Sequence, residues 1–252
     1  MNYDFTLSKY KKLCEAILKN GFNIVKVKNF LENDLPESPF CVFRHDIDRN
    51  ISCALSMAEL EAKLGIYSTY YVRMTKNAFN IDKIKKIFEY GHDIGFHHEC
   101  LAKSKGNIKV AGDIFKKEVN KLRKIVPVHT CSMHGNPLSK WNNISFWNFY
   151  TYKEFGLLGD FSLAIDFSNS YYFTDTGRNW DCQRNNLRDH VASLKPEKHL
   201  QDTNQLIDFL ESNAESRVFI NAHPNRWKDD PFTWFLSLIS DLIINQAKKI
   251  LK

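Results

Sequence analysis

Cys41-Val42-Phe43-Arg44-His45-Asp46-Ile47-Asp48 runs from an apolar stretch straight into a polar cluster. A short apolar run that ends in acids and a His reads as a buried strand delivering side chains to its C-terminal end. In parallel α/β folds that end is where chemistry sits. Side chains alternate with period two on a strand, so the Asp46-x-Asp48 pair can point the same way. One carboxylate then suits a metal and the other suits a base. Two plainer roles compete with this: Asp48 as the cap of the following helix, and Asp46 as the ion-pair partner of Arg44.

The pattern continues on both sides. Leu7, Tyr10, Leu13, Ile17 and Leu18 form one face of a helix over residues 6–20, which Gly21 ends. Asn23 to Val27 reads as a short strand, and the stretch around Pro36 and Pro39 as a loop. After the Cys41–His45 strand, Ile51 to Leu64 is an amphipathic helix stopped by Gly65. Ser68 to Arg73 alternates and is rich in Tyr, as strands are. Helix 81–90, strand 93–97, helix 108–126 and strand 130–133 follow. Residues 141–188 are aromatic and irregular, and only a loose assignment is made there. Residues 206–210 read as helix, 217–221 as strand and 231–251 as a long C-terminal helix. Alternating strands and helices predict βαβ units and a mostly parallel sheet or barrel. With no internal repeat or linker, the 252 residues form one domain, 1–252.

Composition narrows the function classes. With 43% hydrophobic and 25% charged residues the chain is an ordinary globular protein, large enough to bury a full core without disulfide staples. The net charge of +6 is spread along the chain, and the Lys-rich pieces have helical spacing. They read as solvated faces, so no nucleic-acid partner is expected. The six cysteines are scattered, with no Cys-x-x-Cys pair. The N-terminus lacks a basic stretch followed by an apolar core, and no segment reaches transmembrane length. The expectation is a reduced, cytoplasmic setting with no membrane insertion. No Gly-x-Gly-x-x-Gly, Walker loop or Gly-x-Ser-x-Gly is present, which argues against dinucleotide binding, phosphoryl transfer and serine hydrolysis.

Metal-competent clusters recur at the ends of the predicted strands: Asp46 and Asp48, then His97-His98-Glu99, then His134, then His223. Imidazole and carboxylate donors from separate strand ends are what a zinc-type site with an open position requires.

Phe43-Arg44-His45-Asp46-Ile47-Asp48 and Gly91-His92-Asp93-Ile94-Gly95-Phe96-His97 resemble the first two motifs of the polysaccharide deacetylase family, the NodB-like enzymes of carbohydrate esterase family 4. His134-Gly135, Asp175-Thr176-Gly177-Arg178-Asn179-Trp180 and Ala222-His223-Pro224 resemble the later motifs in order. The likeness spans about residues 40–225 and is closest to an atypical branch tied to surface-polysaccharide biosynthesis. It implies a distorted (β/α) barrel that removes an N-acyl group from an amino sugar with a divalent metal, zinc by donor type. By position, Asp46 would be the general base and His223 the general acid. Asp48 and His97 would be metal ligands. Where the family carries a second His four residues after the first, this chain has Leu101. His134 is the first choice for the third ligand, with His98 and Glu99 as local alternatives. Arg178 and Trp180 are expected to line the sugar site, because guanidinium groups bind anions and aromatic faces stack on sugars. The expected partner is a small N-acylated sugar or sugar conjugate. Two rival readings remain: a carbohydrate-binding barrel with a degraded site, which Leu101 favours, and hydrolysis of another carbon–nitrogen bond such as a cyclic amide.

Overall fold

The computed structural model describes residues 3–36, 39–137, 139–180, 191–197 and 199–250, with side chains to residue 246. Its strands are β1 (Asn23–Val25), β2 (Phe40–Ile47), β3 (Thr69–Arg73), β4 (Asp93–His98), β5 (Val128–Met133), β6 (Gly159–Asp160), β7 (Tyr171–Thr174) and β8 (Arg217–Ala222). Its α-helices are α1 (Leu7–Lys19), α2 (Val27–Leu31), α3 (Ile51–Lys63), α4 (Ile81–Glu89), α5 (Cys100–Lys103), α6 (Ile108–Arg123), α7 (Phe161–Ala164), α8 (Thr203–Ser212) and α9 (Pro231–Ile250).

Every strand pairing is parallel, in the order β6-β5-β4-β3-β2-β8-β7. The short β1 lies beside the first residues of β2, and β3 takes over from Arg44 onward. The result is a half-barrel with flanking helices, an α/β single domain that fits the distorted barrel read from the sequence. β2 is at its centre and is buried along its whole length. Alternation sends Phe40 and Val42 to one side, where they pack with Tyr71, Phe161 and Phe219 in the barrel. Cys41 and Phe43 go to the other side, under α1 and α8. A third cluster, built on Phe96, Phe115 and Phe146, fills the space between the sheet and the helices after β3 and β4.

Helix ends follow the sequence closely. Thr6, Asn50, Asn80, Asn107 and Asp202 each accept a backbone N–H of the helix they start. Gly91 turns the chain into β4 at φ +96°, a conformation costly for a side-chain-bearing residue. Gly95 has a different reason: a Cβ there would overlap the Tyr71 ring. Its absence lets that ring lie inside the barrel, 5.6 Å from the Arg44 guanidinium carbon.

Several elements depart from the sequence reading. The strand expected over residues 23–27 stops at Val25, and Val27 opens α2. The helix expected over 108–126 ends at Arg123. Residues 141–180 contain two 3-10 turns (Asn143–Asn148 and Tyr152–Phe155), β6, α7 and β7, too short for periodicity to register. The rest of that expected stretch, 181–188, and the sixth cysteine, Cys182, lie outside the described residues. Among the described residues, no helix is long and apolar enough to cross a membrane.

Candidate metal centre and acid–base site

Asp46, Asp48, His97, His134 and His223 come from four chain segments and meet at the C-terminal ends of β2, β4, β5 and β8. The Nε2 of His97 stands 3.2 Å from Asp48 Oδ1 and 3.9 Å from Asp46 Oδ2. His134 Nε2 is 3.6 Å from Asp48 Oδ1. His223 Nε2 is 3.9 Å from both Asp46 Oδ2 and Asp48 Oδ2. Asp46 and His97 are buried, while Asp48 and His134 keep some exposure, so the cluster opens to solvent on their side.

The ring orientations have local causes. His97 sits on β4 opposite Ser132 of β5, and its Nδ1 lies 3.1 Å from the Ser132 carbonyl. A carbonyl can only accept, so Nδ1 carries a proton and Nε2 is the atom turned to the cluster, where burial is outweighed by Asp46 and Asp48, which raise the imidazole pKa. His134 follows β5, and its backbone N–H donates to the His98 carbonyl. Its Nδ1 faces Glu99 Oε2 at 3.3 Å, and Glu99 is itself held by Arg73 at 2.6 Å. A carboxylate behind an imidazole fixes the ring of a metal-binding His in this way.

Asp48, His97 and His134 offer three donor atoms within 4.8 Å of one another. Asp48 Oδ1 is buried with no hydrogen-bond partner. A buried, unsatisfied carboxylate oxygen facing two imidazole nitrogens is costly unless a cation completes it. The donor set therefore fits a divalent ion. Burial raises the Asp48 carboxyl pKa, but the surrounding His134, His97 and His223 outweigh it and hold the group well below the carboxylate range. His134 is pushed down by burial, only partly offset by Asp48, so its ring is neutral and available.

Asp46 is held differently. Arg44, two residues earlier on the same strand face, donates Nε at 2.9 Å and Nη2 at 2.7 Å to its two oxygens. Asn221 of β8 adds a third donor at 3.1 Å. Burial raises the carboxyl and Arg44 more than reverses this, leaving it at about 2. The ion-pair role for Arg44 and the site position of Asp46 are thus both present.

His223 is anchored by Asp175, which follows β7. Its Nδ1 is 2.6 Å from Asp175 Oδ1. Asp175 also accepts the His223 backbone N–H, Arg226 Nη1 and Trp227 Nε1, each at 2.8 Å. With Nδ1–H donated to a carboxylate, Nε2 is turned into the cluster.

Other expected site residues lie elsewhere. Trp180 is 2% exposed, stacked against Phe5 and donating to Thr203, so its face is not open to a sugar. Arg178 is anchored to α9 by Asp241 at 2.8 Å and Ser237 at 2.8 Å. His45, counted with the polar strand end, points to the opposite side of β2 and contacts Glu61 at 2.7 Å. His98 also points outward, to Asp160 at 3.0 Å, in a second His98-Cys131-Asp160 group. That group is fully buried, and its carboxylate already accepts Trp147 Nε1 and the Ser162 N–H. Glu99 stands behind His134 and not beside His97 and Asp48. Leu101 is packed in the core on α5.

The sequence reading missed Asn221, Asp175 as the partner of His223, Arg226, and the backing pair Glu99–Arg73. Asn221 was accessible in principle, since it lies two residues before His223. The Asp175–His223 contact joins residues 48 apart and leaves no periodic trace. Compared with protein-family models, curated proteins and solved structures, the chain matches none.

Proposed function

We propose that this protein is a metal-dependent hydrolase that removes an N-acyl group, typically acetyl, from an amino sugar. The observation that carries the reading is the placement of three ligand-type donors, Asp48, His97 and His134, beside an ionised carboxylate, Asp46, and a carboxylate-anchored imidazole, His223. Amide hydrolysis needs an activated water, a stabilised oxyanion and a protonated leaving amine.

Asp48, His97 and His134 would hold the ion, zinc by the balance of nitrogen and oxygen donors. When bound, such an ion polarises an amide carbonyl and acidifies water. Asp46 stays ionised across neutral pH because Arg44 grips both oxygens, so it is ready to accept the proton of an attacking water. Arg44 keeps that carboxylate in place and makes it a weak base, which suits a water already made acidic. His223 presents Nε2 to the same space from the β8 side, and Asp175 holds the ring in position to donate to the departing nitrogen. The amino-sugar substrate rests on the sequence likeness, as does the setting in surface-glycan synthesis.

The test is acetate release. Purified protein loaded with Zn²⁺, Mn²⁺ or Co²⁺ should release acetate from N-acetylhexosamines, free or nucleotide-linked. Asp46→Asn should lose that activity while still binding the ion. No acetate from any of these sugars with any of the ions would reject the reading.

A further inference from the structure

Helix α9 is amphipathic the wrong way round for a monomer. Phe232, Phe235, Leu236, Ile239, Leu242 and Ile243 face outward, each between 38% and 69% exposed. The inward side carries Asp241, bound to Arg178 at 2.8 Å, and Ser237, which accepts Arg178 Nη2. Ser240 on the same side accepts Arg49. Surface helices normally bury their apolar stripe. Here polar contacts hold much of the helix to the barrel, with Trp234 donating to the Asp4 carbonyl as a further anchor.

We propose that this face pairs with the same face of a second copy of the chain, the two α9 helices running antiparallel about a two-fold axis at Ile239. Two observations select that occupant. The first is position. Relative to Ile239, the exposed apolar residues stand at offsets of three and four on both sides, with Phe232 at minus seven facing Gln246. In an antiparallel pair Leu236 meets Leu242, Phe235 meets Ile243, and Ile239 meets its own counterpart, as a two-fold interface requires. The second is area. At roughly 200 Å² per large side chain, the exposed fractions sum to roughly 600 Å² on each protomer. Two such faces supply roughly 1,200 Å² of apolar contact, the lower bound of a stable interface before its rim is counted. A lipid surface fits less well. Helices that lie on membranes carry Lys and Arg along the polar face, whereas here Ser237, Ser240 and Asp241 are spent on Arg178 and Arg49 of the barrel.

Pairing would also bear on the catalytic side of the barrel. Asp241 on α9 lies 3.6 Å from Arg226, which in turn donates to Asp175 behind His223. The dimer itself does not depend on the proposed reaction.

Sedimentation equilibrium of the full chain at 1–100 µM is the test. The expected mass is twice 29.5 kDa. Leu236→Glu combined with Leu242→Glu places like charges opposite one another and should return the mass to 29.5 kDa with an unchanged circular dichroism spectrum. Mild oxidation should cross-link Ile239→Cys to its counterpart but leave Phe235→Cys uncross-linked. Two Phe235 positions would stand about 12 Å apart along the pair, beyond disulfide reach. A wild-type monomer at 100 µM would overturn the proposal. Binding of that monomer to phosphatidylglycerol vesicles would assign the face to lipid instead. A dimer that survives Leu236→Glu with Leu242→Glu, or in which Ile239→Cys does not cross-link, would place the interface elsewhere.

Discussion

Replacing Glu61 by Gln should change how stability depends on pH, and the size of the change follows from what surrounds the carboxylate. Glu61 lies on α3, fully buried behind β2. It receives Ser68 Oγ at 2.6 Å, Tyr70 OH at 2.8 Å and the Tyr10 hydroxyl, with His45 Nε2 at 2.7 Å. Burial raises the carboxyl pKa, but His45, His92 and the hydrogen bonds outweigh it and set the pKa at about 2, against 4.5 ordinarily. A depressed carboxyl stabilises the fold above its unfolded pKa and loses that contribution as pH falls toward the folded value. The difference corresponds to about 3 kcal/mol at neutral pH, of which about 2 kcal/mol is gone by pH 3. The substituted amide keeps the shape of the carboxyl but does not titrate. The stability gap between wild type and Glu61→Gln, measured by urea unfolding, should therefore narrow by about 2 kcal/mol between pH 7 and pH 3. Groups not coupled to Glu61 cancel in this comparison. A gap of the same size at both pH values would refute the assignment of the ionised form to the folded state.

Asp175→Asn removes an acceptor shared by His223, Arg226 and Trp227. It should cost about 3–5 kcal/mol, because Arg226 keeps its buried charge without this partner. A thermal midpoint within 2 °C of wild type would contradict that. Asp48→Ala and His97→Ala should each abolish binding of one Zn²⁺ per chain in calorimetry while leaving the barrel folded, and unchanged stoichiometry in either would remove that residue from the donor set. His223→Ala should lower deacetylation by roughly 10²–10⁴-fold, and near-wild-type turnover would show that the leaving amine is protonated by another group. Gly95→Ala should destabilise the barrel by about 1–3 kcal/mol, since its Cβ would overlap the Tyr71 ring, and equal stability would show that the ring is free to move.

The strand order along the chain, the buried character of β2 and the polar strand ends were legible in sequence because they rest on local periodicity. Period-two alternation turned Arg44 and Asp46 to one side and His45 to the other, and it already implied that His45 should leave the cluster. Residue type alone could not say which imidazoles share a space. His97 and His98 are neighbours, yet the pleat sends one toward Asp48 and the other toward Asp160. Trp180 and Arg178 looked like ligand-binding residues by chemistry, and tertiary packing placed one in the core and tied the other to α9. The choice of His134 as third donor was one of three open in the sequence. The structure brings His134, and not His98 or Glu99, beside Asp48 and His97, because β5 lies beside β4 in register with His134 just past the strand end. Local pattern alone thus determined that β1 to β5 and β8 are strands and which side chains can reach their ends, while β6 and β7 left no such trace. Only the parallel register of β2, β4, β5 and β8 brought residues up to 177 positions apart, Asp46 and His223, to 3.9 Å, because closure of the sheet depends on contacts that no local window contains.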